Sequence, residues 1–180
     1  MKILVLSSTR ADYSFYLPLL KKMRNDPFFN VEIVAFGSHL SDIHGNTVER
    51  IEQDGFKVAH KLKTNFDDDS SMGISLSIGD ITKQFAKFWN ENASTVDVVF
   101  ALGDRFEMFA AVSSSVPFNI PVAHFYGGET TLGAIDNVFR HSISLMSQYH
   151  FTSANVHSKR VSEIVQNNSN VKTIGLLSLE

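Results

Sequence analysis

The sequence predicts an α/β fold built on a parallel sheet with crossover helices. Short apolar runs rich in β-branched residues recur along the chain, and each is followed by a longer segment with helical apolar spacing. The chain has 180 residues, of which 43% are hydrophobic, so it can bury a core of its own and its length suits one domain.

Strands are predicted where such apolar runs are bounded by polar or turn-forming residues. Val171–Ile174 has the same character and is a seventh candidate close to the end of the chain. The six other predicted strands are Lys2–Leu6, Val31–Phe36, Lys57–Lys61, Val96–Ala101, Ile120–His124 and Tyr149–Thr152.

Helices are predicted between these strands, where apolar residues recur at three- and four-residue intervals. A helix between two strands gives the connection that a parallel pair requires. The predicted helices are Tyr13–Asn25, His44–Gln53, Ile74–Asn90, Arg105–Ser115, Asp136–Ser147 and Ala154–Asn167.

Composition excludes several functional classes. A net charge of -3 without basic clusters argues against nucleic acid as a partner, and the absence of cysteine removes disulfides and thiol chemistry. None of the seven histidines has metalloprotease spacing, so we expect no metal. No apolar run is long enough to span a bilayer or to form a signal peptide, so we expect no membrane partner and a cytoplasmic protein.

Candidate binding residues follow the first two strands. Arg10 lies in a turn of small residues at a predicted helix start, where backbone amides and a guanidinium favour an anion such as phosphate. The alternative is that Thr9 or Asp12 caps the helix and Arg10 is a surface charge. The turn lacks the glycine spacing of dinucleotide sites, which disfavours a nicotinamide cofactor. His39 follows the second strand and either contacts a ligand or is solvated.

The fourth strand is followed by Gly103 and Asp104, a carboxylate placed for acid/base work or for binding a sugar hydroxyl. The alternative is that Asp104 caps the next helix, with Glu107 completing a capping-box pattern.

Residues 123–141 carry the richest set of acid/base groups, grouped around a glycine pair after the fifth strand. For Arg140 the competing explanation is an ion pair with Asp136 within the helix, and for His141 it is burial against a backbone carbonyl. The candidate site residues here are His124, Glu129, Asp136, Arg140 and His141.

Together these motifs resemble the hydrolysing UDP-N-acetylglucosamine 2-epimerases, enzymes of the sialic-acid pathway that release UDP and N-acetylmannosamine. The resemblance extends over almost the whole chain, in the order of the family's motifs. The matching segments are Ser8-Thr9-Arg10-Ala11-Asp12-Tyr13, Gly37-Ser38-His39-Leu40, Gly45-Asn46-Thr47, Gly103-Asp104-Arg105, and His124 through His141 with His150-Phe151.

The resemblance implies a GT-B-like fold of two Rossmann-like domains, each a parallel sheet with helices on both faces, that close on a UDP-sugar. Residues 1–175 would be the N-terminal domain and 176–180 the start of the interdomain connection. The second domain would be absent from this chain, and the isolated half would be inactive. The full-length protein would be a homo-oligomer without a cofactor.

The resemblance also implies residue roles. Asp104, Glu129 and Asp136 would be catalytic, and the substrate-binding residues would be Arg10, His39, His124, Tyr126, Arg140 and His141. Tyr126 stands where family members have a glutamate or a histidine, and a phenol is a poor base at neutral pH. That departure keeps two alternatives open: an epimerase for a UDP-2,4-diacetamido-trideoxyhexose, as in legionaminic-type pathways, and a non-catalytic nucleotide-sugar-binding domain.

Overall fold

A computed structural model describes residues 1–41, 47–65, 68–131 and 135–177. Its centre is a parallel sheet of seven strands in the order β3-β2-β1-β4-β5-β6-β7. The predicted strands are confirmed, including the seventh candidate. They are β1 Lys2–Ser7, β2 Asn30–Ala35, β3 Val58–Lys61, β4 Val98–Leu102, β5 Val122–Phe125, β6 Tyr149–Thr152 and β7 Val171–Thr173.

Six α-helices connect the strands within the described residues. The start predicted for the second helix, at His44, lies outside those residues, as do Gly45, Asn46 and Gly133 of the sequence motifs. The helices are α1 Arg10–Arg24, α2 Val48–Gln53, α3 Ser71–Asn92, α4 Phe106–Ser113, α5 Asp136–Met146 and α6 Asn155–Val165.

Capping explains why α1 begins at Arg10, three residues earlier than the predicted start at Tyr13. The Thr9 hydroxyl accepts the Asp12 backbone N–H at 3.2 Å, and the Asp12 carboxylate accepts the Thr9 backbone N–H at 3.0 Å. This is a capping box, which satisfies N–H groups that have no partner within a helix. Asp12 also accepts the backbone N–H and the hydroxyl of Ser8. The capping alternative for Thr9 and Asp12 is therefore confirmed.

The core lies on both faces of the sheet. Leu4 and Leu6 of β1 pack towards α3, α4 and α5, whereas Ile3 and Val5 pack towards α1 and α2. Because successive strand residues point to opposite faces, a strand covered on both sides is apolar along its buried length, as Ile3–Leu6 of β1 and all of β4 are.

In open parallel sheets, ligands bind in the crevice at the carboxyl edge where the strand order reverses, which here is next to β1. The chain winds outward from β1 through β2 to β3 and then returns to pair β4 with the other edge of β1. Next to β1 the loops that leave the strands diverge in opposite directions and open a crevice at the carboxyl edge. The turns after β1, β4 and β5, which carry the predicted site residues, meet at this edge.

Two adjacent buried histidines predict that the fold loses stability in mild acid. His124 and His150 pair across β5 and β6, and burial lowers their pKa values to about 3 and about 4. The folded state therefore resists protonation of these histidines. Their contribution to the free energy of unfolding is complete above the unfolded pKa of about 6.5 and is lost as the pH falls below it. At pH 5 the loss is about 2 kcal/mol for each histidine.

Urea unfolding at pH 7 and at pH 5 tests this expectation. The decrease in the free energy of unfolding should be smaller in His150→Gln than in wild type by about 2 kcal/mol, because Gln does not titrate in this range. Equal decreases in wild type and variant would contradict the assignment.

Candidate active site

A crevice at the carboxyl edge, here called the main cleft, has a volume of about 620 Å³. Residues after β1, after β4 and around the start of α5 form its walls. The cleft brings together predicted site residues from distant parts of the chain, namely Asp104, Tyr126, Glu129, Asp136 and Arg140.

A partly buried ion pair lies in the wall of the main cleft. The Arg140 guanidinium donates through Nη2 to the Asp104 carboxylate, which precedes it by 36 residues. The alternative of an ion pair between Arg140 and Asp136 within the helix is wrong, because the partner of Arg140 is Asp104. The Arg140 side chain is only 8% exposed, and its Nε and Nη1 have no hydrogen-bond partner within the part of the chain that the structure describes. These buried N–H groups retain the capacity to donate to an oxygen acceptor.

The carboxylates around Arg140 affect one another. Burial raises the pKa of the Asp104 carboxyl, and the nearby negative charges of Asp136 and Glu129 raise it further, while Arg140 and Arg105 act in the opposite direction. A carboxyl group with a raised pKa beside other carboxylates is the arrangement that acid/base catalysis uses.

His124 holds the turn that carries Asp104 and does not line the cleft. Its side chain is fully buried, with Nε2 donating to the Gly103 carbonyl at 2.8 Å. Nδ1 therefore accepts the Ser144 hydroxyl at 3.0 Å. Both ring nitrogens are engaged and burial keeps the ring neutral, so the predicted contact with substrate is replaced by a positioning role.

His39 is also buried, in a single 3₁₀ turn at Gly37–Leu40. Its Nε2 lies 2.8 Å from the Ser7 hydroxyl and its Nδ1 2.7 Å from the Thr47 hydroxyl. Neither the predicted ligand contact nor the solvated alternative describes this placement. The histidine instead fixes the loops that follow β1 and β2 against each other.

His141 is not among the residues that line the main cleft. It is half-buried, and burial together with the positive charges of Arg140 and Arg160 lowers its pKa. Its Nδ1 is buried without a hydrogen-bond partner, so the predicted backbone-carbonyl contact is not made at that atom.

Tyr126 connects the cleft to the end of the described chain. Its backbone has a φ of 63°, and its ring packs edge-on against Phe15 with centroids 5.6 Å apart. Its hydroxyl accepts the Leu177 backbone N–H at 2.7 Å. Burial raises the pKa of the phenol and the Glu129 charge adds to this, so Tyr126 is suited to hydrogen bonding and not to proton abstraction.

The glycine pair after Tyr126 is required by close packing. A Cβ on Gly127 would lie 2.8 Å from the Ser144 Oγ, and one on Gly128 would lie 2.4 Å from the His157 carbonyl oxygen. Arg160 donates to the Gly128 carbonyl. This packing directs the chain to Glu129, whose carboxylate accepts the Ser153 hydroxyl at the cleft wall.

Sequence reasoning missed the pairing of Arg105 with Glu107. The predicted capping box is wrong: no side chain caps α4, and the Glu107 carboxylate, 3% exposed, accepts Nε and Nη2 of Arg105 at 2.8–3.2 Å. An arginine and an acidic residue close together after a strand could have indicated this ion pair. The same pattern, however, is found at the exposed start of a helix.

Arg10 is exposed at the start of α1, and its guanidinium has no hydrogen-bond partner among the described residues, whereas its backbone carbonyl accepts the Ser14 hydroxyl at 2.8 Å. It lines a second cavity of about 470 Å³, here called the second lobe, which shares Thr9, Ala11, Asp69 and Arg105 with the main cleft. Across residues 1–41, 47–65, 68–131 and 135–177, no group of three acidic or histidine side chains is placed to hold a metal ion. In the same ranges no helix combines the length and apolar character needed to cross a bilayer.

The fold is Rossmann-like and GT-B-like, with a crevice at the carboxyl edge of the sheet. The family model described as UDP-N-acetylglucosamine 2-epimerase matches residues 21–180, so the chain belongs to that family.

Relatives give the same result. The chain is 35% identical to the Escherichia coli polysialic acid biosynthesis protein P7, over 99% of this chain and 45% of that protein. It is also 35% identical to the Campylobacter jejuni GDP/UDP-N,N'-diacetylbacillosamine 2-epimerase (hydrolyzing), over 98% of this chain and 45% of the relative. The chain therefore spans about half the length of these relatives.

A solved structure confirms the fold. The UDP-GlcNAc 2-epimerase of Neisseria meningitidis, bound to UDP-GlcNAc, superposes with a TM-score of 0.83 at 17% identity. The superposition covers 99% of this chain and 48% of the other.

Replacing Gly128 with alanine should destabilise the fold by about 3 kcal/mol, because the positive φ and the steric clash both oppose a side chain. Gly175→Ala is the matched control: its φ of +79° is nearly the same as the +80° of Gly128, but no atom lies within 4 Å of the added Cβ. The control should lose only about 1 kcal/mol in urea unfolding. Equal losses would show that packing at Gly128 is unimportant.

Proposed function

We propose that the full-length protein is a hydrolysing UDP-sugar 2-epimerase and that the main cleft holds its sugar. The observation that carries this proposal is the grouping of Asp104, Glu129 and Asp136 around the buried Arg140, which has two unpaired nitrogens. Membership of the 2-epimerase family and relatives named as hydrolysing epimerases support it.

The proposed reaction has two steps. A base removes the proton on C2, the C1–O bond to UDP breaks with its electron pair leaving on UDP, and a C1=C2 double bond forms, giving a glycal. Water then adds its hydroxyl to C1 while C2 takes a proton on the opposite face, which inverts C2. From UDP-N-acetylglucosamine the products are UDP and N-acetylmannosamine.

The proposed reaction has two requirements that the cleft residues can meet. The C2 proton is weakly acidic, so the base must be well positioned and departure of UDP must be assisted. We assign proton transfer to Asp104 and Asp136, and a sugar-side contact to Glu129. Arg140 would bind a ligand oxygen, and Arg10, whose guanidinium is unpaired at the start of α1, would contact the diphosphate.

The rest of the substrate would be bound by a second domain. We propose that residues 1–175 form the N-terminal domain and that 176–180 begin the connection to the other half, in keeping with the 45% share of the relatives that this chain spans. The contact between Leu177 and Tyr126 would then place the start of that connection beside the main cleft. We propose that the isolated half is inactive and that the full-length protein is a homo-oligomer.

A second candidate substrate is a UDP-2,4-diacetamido-trideoxyhexose. The relative named for diacetylbacillosamine is as similar to this chain as the polysialic acid protein is, at 35% identity in both cases. Tyr126 is compatible with either sugar, since its hydroxyl can bind but not deprotonate.

Incubation of the full-length protein with each UDP-sugar in deuterated water tests the function. We expect UDP release, with deuterium at C2 of the released 2-epimeric sugar. Neither UDP release nor deuterium with either sugar would refute catalysis and favour the non-catalytic nucleotide-sugar-binding domain.

Asp104→Asn and Asp136→Asn should each lower kcat at least about 100-fold, because an amide cannot transfer the proton. Asp26→Asn is the control: this exposed residue lies outside the main cleft, and its contact to the Phe28 backbone N–H can be made by Asn. UDP release and urea unfolding should be measured on all three variants. Full activity in either cleft variant would remove that residue from the assignment.

A further inference from the structure

The segment after β7 turns back towards the inner strands of the sheet. Gly175 has a φ of +79°, a conformation that lets the chain reverse after the outer strand. Leu177 then packs against the apolar cluster on the α1 side of the sheet and lines a groove there with Phe125 of β5 and Phe151 of β6. The chain that follows β7 is therefore held against the sheet and not only by its connection to that strand.

One hydrogen bond joins this segment to the main cleft. The Leu177 backbone N–H donates at 2.7 Å to the hydroxyl of Tyr126, which precedes it by 51 residues and lines the cleft. Among the residues that the structure describes, Gly175, Leu176 and Leu177 have no other hydrogen-bond partner. This bond is thus the polar contact that holds the backbone of the segment at the cleft wall.

Tyr126 is itself fixed on several sides. It is 6% exposed, its ring packs edge-on against Phe15, and its backbone N–H donates to the Phe151 carbonyl at 2.8 Å. Its φ of 63° is a conformation that residues with a side chain disfavour. Strained residues of this kind cluster at functional positions, and here the strain places a phenol between the cleft and the returning segment.

We propose that Tyr126 is a positioning residue that ties the start of the interdomain connection to the main cleft and thereby places the second half of the full-length protein over it. This inference rests on the proposed function, in which the residues after 175 lead to that half. The phenol oxygen accepts the Leu177 N–H and retains its own hydrogen for donation, so the tie is compatible with a contact to the sugar.

Amide hydrogen exchange of the full-length protein, measured at residue resolution, tests the contact independently of activity. The Leu177 N–H should exchange about tenfold faster in Tyr126→Phe than in wild type, because phenylalanine keeps the ring and has no hydroxyl to accept it. Tyr13→Phe is the matched control: this tyrosine is also buried, and its hydroxyl donates to Asp54 at 3.0 Å outside the main cleft. Equal exchange at Leu177 in wild type and Tyr126→Phe would overturn the inference.

Turnover of the full-length protein tests whether the contact serves the reaction. Tyr126→Phe and Leu177→Pro remove opposite sides of the hydrogen bond, and each should lower kcat about tenfold for the sugar that wild type uses. The double variant should be no slower than the slower single variant, because both changes act through one contact. UDP should still bind one to one, which a loss of folding would prevent. Leu177→Ala, which keeps the N–H, is the control and should stay within about threefold of wild type.

The outcomes separate this inference from the function on which it rests. If wild type is active and Tyr126→Phe keeps its kcat, the function stands and the inference is overturned. Equal losses in Leu177→Pro and Leu177→Ala also overturn it, because the side chain and not the N–H would then position the segment. If Leu177→Pro does not bind UDP, kcat of Tyr126→Phe and exchange of the Leu177 amide decide. If wild type releases UDP from neither sugar, both proposals fail.

Discussion

The partly buried ion pair between Arg140 and Asp104 is the interaction on which the site depends. It joins the turn after β4 to α5 and so fixes the distance between two walls of the main cleft. Removing water from both charges is costly, and the loss of either partner would leave an uncompensated charge. The pair leaves two nitrogens of Arg140 unsatisfied, which is a poor arrangement for stability alone and a suitable one for holding an acceptor-rich ligand.

Neutral buried groups hold the turn after β4 and helix α5 in the positions that the ion pair requires. His124 holds the Gly103 carbonyl and receives the Ser144 hydroxyl, so β4, β5 and α5 are joined directly beneath the ion pair. The close packing of Gly128 against α6 then directs the chain towards Glu129. The histidines that the motif suggested as ligand contacts thus serve mainly to hold carboxylates and arginine in place, and their low pKa values follow from that burial.

The sheet and its helices could be predicted because apolar periodicity is local and strong in this sequence. The side-chain pairing could not be predicted, because the partners are far apart in the sequence. Asp104 precedes Arg140 by 36 residues and Ser7 precedes His39 by 32, and these contacts exist only after the chain folds. Asp104, Glu129 and Asp136 were correctly placed together because strand ends meet at one edge of a parallel sheet. The Arg105–Glu107 pair was mistaken for a cap, since both arrangements use the same residues at a helix start.

A crystal structure of the full-length protein with a bound UDP-sugar would test the central claim most directly. We expect the sugar ring in the main cleft, a ligand oxygen within about 3 Å of Arg140 Nε or Nη1, and C2 facing the carboxylate of Asp104 or Asp136. A sugar bound elsewhere, with both Arg140 nitrogens still unpaired, would contradict this account of the site.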